Sequence, residues 1–329
     1  MRSIVSGTRS ALTHALPPVI DGSDSLRGAF PESLAHVQPG SETFVRAAGH
    51  AGRLLAPVVH DALVDFADQA HRSGALLIKG MPIGELPPTP ATPTTPTTKD
   101  HVSEFTLLTV ARRLGQPVGY EPEHGGDLVQ HLVPVATSAD RQTSTSSKVT
   151  LMFHTEAAFH PHRPRFLLLL CLRGDASAST TLASIQELLP HLSQRTRDVL
   201  FQPRFRTAID ESYLHGRANV LGEPMPVLRG HPDAPSMVFD QDLMVGTDAE
   251  ADQALQSLGK VIEEFHTGLV LEPGDLLVVD NDVAVHGRTS YTPRFDGTDR
   301  WIQRCMAVTD LAPSATDRRG RVITTVFGV

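Results

Sequence analysis

Seven consecutive apolar residues, Phe166-Leu-Leu-Leu-Leu-Cys-Leu172, stand between Arg-Pro-Arg and Arg-Gly-Asp. A run of that length, without alternation and closed at both ends by charged turn residues, is consistent with a strand buried on both faces. Such a strand needs packed material above and below it. Further strands are expected at Ala75–Ile78, from Val149 onward, and at Gly268–Val270, Asp275–Val279 and Trp301–Val308. The pattern is helical from about Thr43 to Arg72, with Val59, Leu63, Phe66 and Ala70 on one stripe and Pro57 starting or breaking a helix inside the span. A second amphipathic helix runs from about Ser103 to Leu114. Ser184-Ile-Gln-Glu187 and Thr247-Asp-Ala-Glu250 have capping-box form, the first opening a helix to about Phe201, the second one carrying Leu255, Leu258, Ile262 and Phe265. Gln202 to Val238 suits an insertion with hairpins. No internal repeat or domain boundary is evident, so we expect one mainly β domain with flanking helices.

Two segments fall outside this pattern. Residues 1–40 are rich in Gly, Pro and Ser and are expected to form an irregular arm. Residues 87–99 form a Pro/Thr-rich stretch whose proline density excludes helix and central strand. It reads as a solvated, extended loop, either a plain connector or a mobile lid.

The formal net charge of −8 over 329 residues argues against nucleic acid as the main partner. No apolar run approaches the roughly 20 residues that span a bilayer, and the start of the chain lacks a signal-peptide apolar core. We therefore expect a cytoplasmic protein without a membrane partner. Cys171 and Cys305, the 2 cysteines, lie in apolar runs and read as buried thiols.

His154 and Glu156 stand two residues apart, a spacing that on a strand points both side chains to one face. His286, in Asp280-Asn-Asp-Val-Ala-Val-His-Gly-Arg288, is a candidate third ligand. Two histidines and one carboxylate form the facial triad of non-haem Fe(II) oxygenases. Among 16 histidines an H-x-E pair arises easily by chance, so the flanking residues matter. His160 and His162 lie beyond the strand and are expected to hydrogen-bond structurally.

Those flanks carry a resemblance. The segments His154-Thr-Glu-Ala-Ala-Phe-His-Pro161, Asp280-Asn281 with Val285-His-Gly-Arg288, and Pro293-Arg-Phe-Asp-Gly-Thr-Asp-Arg-Trp-Ile-Gln-Arg304 resemble the clavaminate synthase-like Fe(II)/2-oxoglutarate oxygenases. Within that group the chain is most similar to hydroxylases of free asparagine and arginine. The likeness runs from about Gly74 to Ala307, broken by the Pro/Thr insertion. It implies a double-stranded β-helix, or jelly roll, with Fe(II), 2-oxoglutarate and O2 as cofactor and cosubstrates.

The resemblance also implies roles. His154, Glu156 and His286 would be metal ligands and the catalytic centre. Arg300, fourteen residues after His286, would grip the distal carboxylate of 2-oxoglutarate, which suits the planar guanidinium fork. Thr180, or the adjacent Thr181, would also touch the cosubstrate. Arg304, on the same strand face as Arg300, would bind the substrate α-carboxylate, and Glu156 would also accept from the α-ammonium. Asp240 would meet the substrate side chain, with Asp242 beside it at strand spacing. Glu123 would belong to a loop covering the substrate, and Ser144 would help hold the amino acid backbone. Two carboxylates on one face favour a basic or ureido amino acid such as arginine, lysine or citrulline, oxidised at C3, whereas one would suffice for asparagine or another amide. Desaturation is an alternative outcome of the same chemistry. Halogenation is disfavoured because Glu156 fills the position that halogenases leave empty. A zinc hydrolase or a non-catalytic binding jelly roll are readings of other classes, but the chain has no HExxH motif and retains all three candidate ligands. The oligomeric state is left open.

Overall fold

The computed structural model describes residues 15–69, 71–214 and 216–328. In chain order the elements are β1 (Val19–Asp21), α1 (Glu42–Ala51), α2 (Pro57–Asp68), β2 (Ala75–Lys79), α3 (Val102–Leu114), β3 (Gln116–Tyr120), β4 (Gln130–Leu132), β5 (Leu151–His154), β6 (Phe166–Arg173), β7 (Thr180–Ser184), α4 (Ile185–Leu188) and α5 (Gln194–Leu200). There follow β8 (Phe205–Thr207), β9 (Leu228–His231), β10 (Ala234–Met237), β11 (Met244–Gly246), α6 (Ala249–Phe265), β12 (Thr267–Leu269), β13 (Leu276–Asp280), β14 (Ala284–Arg288), β15 (Trp301–Val308), β16 (Arg318–Arg319) and β17 (Val322–Ile323).

The apolar run forms β6, and its two-sided burial organises everything else. Phe166, Leu168, Leu170 and Leu172 pack against α1, α2 and α3, while Leu167, Leu169 and Cys171 face the interior between two sheets. The larger sheet runs β1-β2-β13-β6-β15-β3-β17-β16, with β4 also paired to β15. The smaller sheet runs β12-β7-β14-β5. Its inner face adds Leu182 and Ala284 to the shared interior, while Ala183 and Val285 point outward against α6. Helices thus cover both outer faces and the two sheets enclose a common interior, a distorted jelly roll as expected.

Several local expectations change. The 43–72 span is two helices, with Pro57 at the first turn of α2, where its missing N–H costs nothing; Ala70 lies outside the described residues. The expected arm is partly built into the fold: β1 pairs in parallel with β2, and Leu26 and Leu34 enter the core. The helix from Ser184 ends at Leu188, and Ser193 caps a separate α5 across Pro190. The cap of α6 is Asp248, not Thr247; its carboxylate accepts from the backbone of Glu250 and Ala251. β3 and β4 go beyond the sequence expectation, because Gly115 and Pro117 read as a stop; β3 is nonetheless held by pairing with β15. The expected hairpin in 202–238 is β9-β10, whereas β8 pairs with β11. Cys171 and Cys305 are free buried thiols.

Candidate active site

β5 and β14 are antiparallel neighbours in the smaller sheet, and their register sets His154 directly opposite His286. Their rings lie 4.3 Å apart. Close approach of the strands depends on Gly287, where a Cβ would come within 2.6 Å of the Leu151 carbonyl. The carboxylate arrives differently from the alternation rule. β5 ends at His154, and Glu156 stands in the turn beyond it, with Ala157 in the left-handed region at φ 52°. Asn281, fully buried, fixes that turn. Its Oδ1 accepts from Glu156 N at 2.7 Å, and its Nδ2 donates to the carbonyls of Glu156 and Pro164 at 3.1 and 2.9 Å.

Donor atoms of His154, Glu156 and His286 all lie within 4.8 Å of one another. His154 Nδ1 donates to the Met152 carbonyl at 2.8 Å, which leaves Nε2 as the free lone pair. Glu156 Oε2 is buried without a hydrogen-bond partner and sits 3.5 Å from His286 Nε2. Burial, with help from His154, lowers the His286 pKa to about 4, so the imidazole is neutral and able to donate a lone pair near neutrality. Burial alone would raise the Glu156 carboxyl, but Arg304 and the two histidines outweigh it and hold it well below its ordinary value. An orphaned carboxylate oxygen close to the ring nitrogens of two histidines is a donor set that fits a divalent metal.

The triad opens onto a cavity of about 340 Å³ between the sheets. All ten predicted site residues line it: Glu123, Ser144, His154, Glu156, Thr180, Asp240, Asp242, His286, Arg300 and Arg304. Thr181 does not; alternation along β7 turns Thr180 inward with Leu182. His160 and His162 are outside it as expected, His160 Nδ1 accepting from His162 N and His162 Nε2 lying 2.7 Å from Asp317.

Arg300 is buried and has no salt-bridge partner among the described residues. Burial lowers its pKa, against the nearby Tyr291 phenol. Beside it lies a residue that sequence reasoning passed over, Arg288, two positions beyond His286 and on the same strand face. Burial and then Arg300 bring the Arg288 pKa down to about 10. Its guanidinium donates to the Ser146 carbonyl and hydroxyl, the latter at 3.0 Å, and to the Val149 carbonyl at 3.1 Å. Two buried guanidiniums with no salt-bridging carboxylate suit an anionic ligand.

Arg304 differs, because four of its five N–H groups already have partners. Nε donates to Gln130 Oε1 at 2.8 Å and Nη1 to Glu156 Oε1 at 3.1 Å, and Nη2 contacts Glu123 and Gln130. Glu123 also accepts from the Tyr213 hydroxyl at 3.1 Å, and burial raises its pKa. Asp240 and Asp242 do not alternate on a strand. Asp240 forms an isolated bridge with His154, and its Oδ1 accepts from the backbone of Asp242 and Leu243 at 3.0 and 2.8 Å, closing a turn. Burial raises the Asp240 pKa.

Two sheets that enclose a cavity, with two histidines and a carboxylate on one wall and arginines without salt-bridging carboxylates beside them, define a non-haem iron oxygenase of the 2-oxoglutarate-using class. Comparison with known proteins agrees. Residues 38–306 match the family model "Taurine catabolism dioxygenase TauD, TfdA family". An L-lysine 3-hydroxylase from Catenulispora acidiphila is 39% identical over 300 residues, covering 89% of this chain and 84% of the relative. An L-asparagine oxygenase from Streptomyces coelicolor is 37% identical over 289 residues, covering 85% of each. The crystal structure of an asparagine oxygenase with Fe(II), 2S,3S-3-hydroxyasparagine and succinate superposes with TM-score 0.83 at 33% identity, covering 93% of this chain and 98% of that one. The chain belongs to the TauD/TfdA dioxygenase family, as a clavaminate synthase-like oxygenase.

Proposed function

We propose that this enzyme hydroxylates a free L-amino acid with a basic or ureido side chain, lysine and arginine foremost, at C3, using Fe(II), 2-oxoglutarate and O2. His154, Glu156 and His286 would hold the iron. When bound, the metal supplies the oxygen activation that couples decarboxylation of 2-oxoglutarate to succinate with insertion of one oxygen into a C–H bond. Arg300, with Arg288 behind it and Thr180 alongside, receives the distal carboxylate of the keto-acid. The zwitterionic head of the amino acid finds complements of both signs around Arg304: the guanidinium for its carboxylate, Glu123 and Glu156 for its ammonium. Ser144 borders the same space. Tyr213 and Gln130 hold the charged trio in place and keep it desolvated.

The observation that carries the substrate class is an imbalance of charge. Asp210, Asp240 and Asp242 line the cavity, and none has a salt-bridge partner among the described residues. A cationic side chain would neutralise them. A carboxamide substrate is the second reading, favoured by the exposure of Asp242, which leaves Asp240 the more enclosed of the pair. The test is a panel of the common amino acids with ornithine and citrulline, scored by mass gain and succinate release. One added oxygen on lysine, arginine or citrulline is expected. A preference for apolar amino acids would refute the proposal.

A further inference from the structure

The Pro/Thr-rich stretch is a loop without helix or strand, exposed along much of its length as expected, yet it is pinned to the fold at several points. It starts beneath Arg173, whose Nη2 donates to the Pro87 carbonyl and Nη1 to Thr89 Oγ1, both at 2.9 Å. Thr89 N donates to the Gly297 carbonyl at 2.8 Å, and its hydroxyl to the Asp299 carbonyl at 2.7 Å. Pro88 presses on Gly297, where a Cβ would stand 2.9 Å from the proline ring and the backbone is left-handed at φ 85°. Further along, Thr95 Oγ1 lies 2.9 Å from His131 Nε2, and Trp301 Nε1 donates to His131 Nδ1 at 2.9 Å. Because the indole can only donate, the His131 proton sits on Nε2 and is given to Thr95; burial, lowering the His131 pKa to about 4, keeps the ring in that neutral form. The stretch closes at Lys99, fully buried against Glu104 at 2.8 Å, whose other oxygen accepts from Gln303 Nε2 at 2.8 Å.

Asp299 and Trp301 are the two chain neighbours of Arg300. Both are therefore tied to this one segment, and between the two ties Pro93 reaches the cavity wall. We infer that residues 87–99 form a fixed strap that positions Arg300 and closes the keto-acid end of the cavity, with Thr89 and Thr95 as positioning residues and Pro93 as a determinant of cosubstrate length. The inference rests on the assignment of Arg300 to the 2-oxoglutarate carboxylate.

Thr89→Val and Thr95→Val remove one hydroxyl each and keep the shape. Titration of the metal-loaded protein with 2-oxoglutarate by calorimetry, without amino acid or oxygen, is expected to show about tenfold weaker binding, the size of one or two lost hydrogen bonds, two at Thr89 and one at Thr95. The KM for the amino acid stays at its wild-type value, and Thr95→Ser restores cosubstrate affinity. Pro93→Ala is expected to admit 2-oxoadipate, one methylene longer, with release of glutarate and carbon dioxide. Unchanged 2-oxoglutarate affinity overturns the strap, whether Tm falls or not, and so does a rise confined to the amino acid KM. Wild-type protein that binds no 2-oxoglutarate overturns the functional assignment as well, so the two failures are told apart.

Discussion

Replacing Asp240 with Asn changes the charge of the cavity and little else. The turn that Asp240 closes needs only an acceptor at Oδ1, for Asp242 N at 3.0 Å and Leu243 N at 2.8 Å, and the amide oxygen supplies one. What is lost is the negative charge facing the cavity. A hydrogen bond to a charged group contributes about 1.5–3 kcal/mol, so kcat/KM for lysine or arginine should fall about 10- to 150-fold. For asparagine or glutamine, which need no counter-charge, the change should be within about threefold, or favourable. Initial rates of succinate formation across the four substrates give the comparison, and calorimetric titration with Fe(II) under anaerobic conditions gives the metal affinity. An equal fall for charged and neutral substrates would refute the charge argument. Loss of metal affinity would place Asp240 with the ligands instead.

Asn281→Ala removes three buried hydrogen bonds, two of them to Glu156 and one to Pro164, and should destabilise the fold by about 2–4 kcal/mol and weaken Fe(II) binding while leaving His154 and His286 in register; denaturant unfolding and metal titration check both parts. Arg304→Met leaves Glu123 and Glu156 buried together without their cation, so a loss of about 3–5 kcal/mol is expected in denaturant unfolding. A stability within about 1 kcal/mol of wild type would contradict the pairing described. For metal-free protein the pH dependence has a definite sign. Buried His131, His160 and His286 have pKa values of about 4, 3 and 4 when folded, against 6.5 unfolded. Between those limits the unfolded chain holds more protons, so Tm should fall as pH drops from about 6.5 towards 4. A Tm that is flat or rises over that window, read by calorimetry in the presence of EDTA, would contradict it.

The chemistry of the site was legible because its residue types are scarce in combination: a histidine two before a glutamate, a distant histidine, and two arginines four apart. Their joint presence on one cavity was expected from the resemblance and is what the structure shows. Strand alternation accounts for the His154–Glu156 pairing only in part, since the strand ends at His154 and a side chain from Asn281, 125 residues away, shapes the turn. No local pattern announces such a bond. The Asp240 turn was hidden likewise, because D-x-D suits a strand and an Asx turn equally. Arg288 could have been found, as the same two-residue rule applied to His286 points to it. The Pro/Thr stretch is free of helix and strand, as its composition implies, but composition says nothing of threonine hydroxyls meeting a carbonyl and a histidine.

His154 and His286 stand on the smaller sheet, whereas Arg300 and Arg304 belong to the strand β15 region of the larger one. On the proposed reading, a keto-acid held by metal at one end and guanidinium at the other is a rivet through both leaves of the sandwich. Cosubstrate should then slow hydrogen exchange on β14 and β15 together, and metal alone should protect only the leaf that holds it.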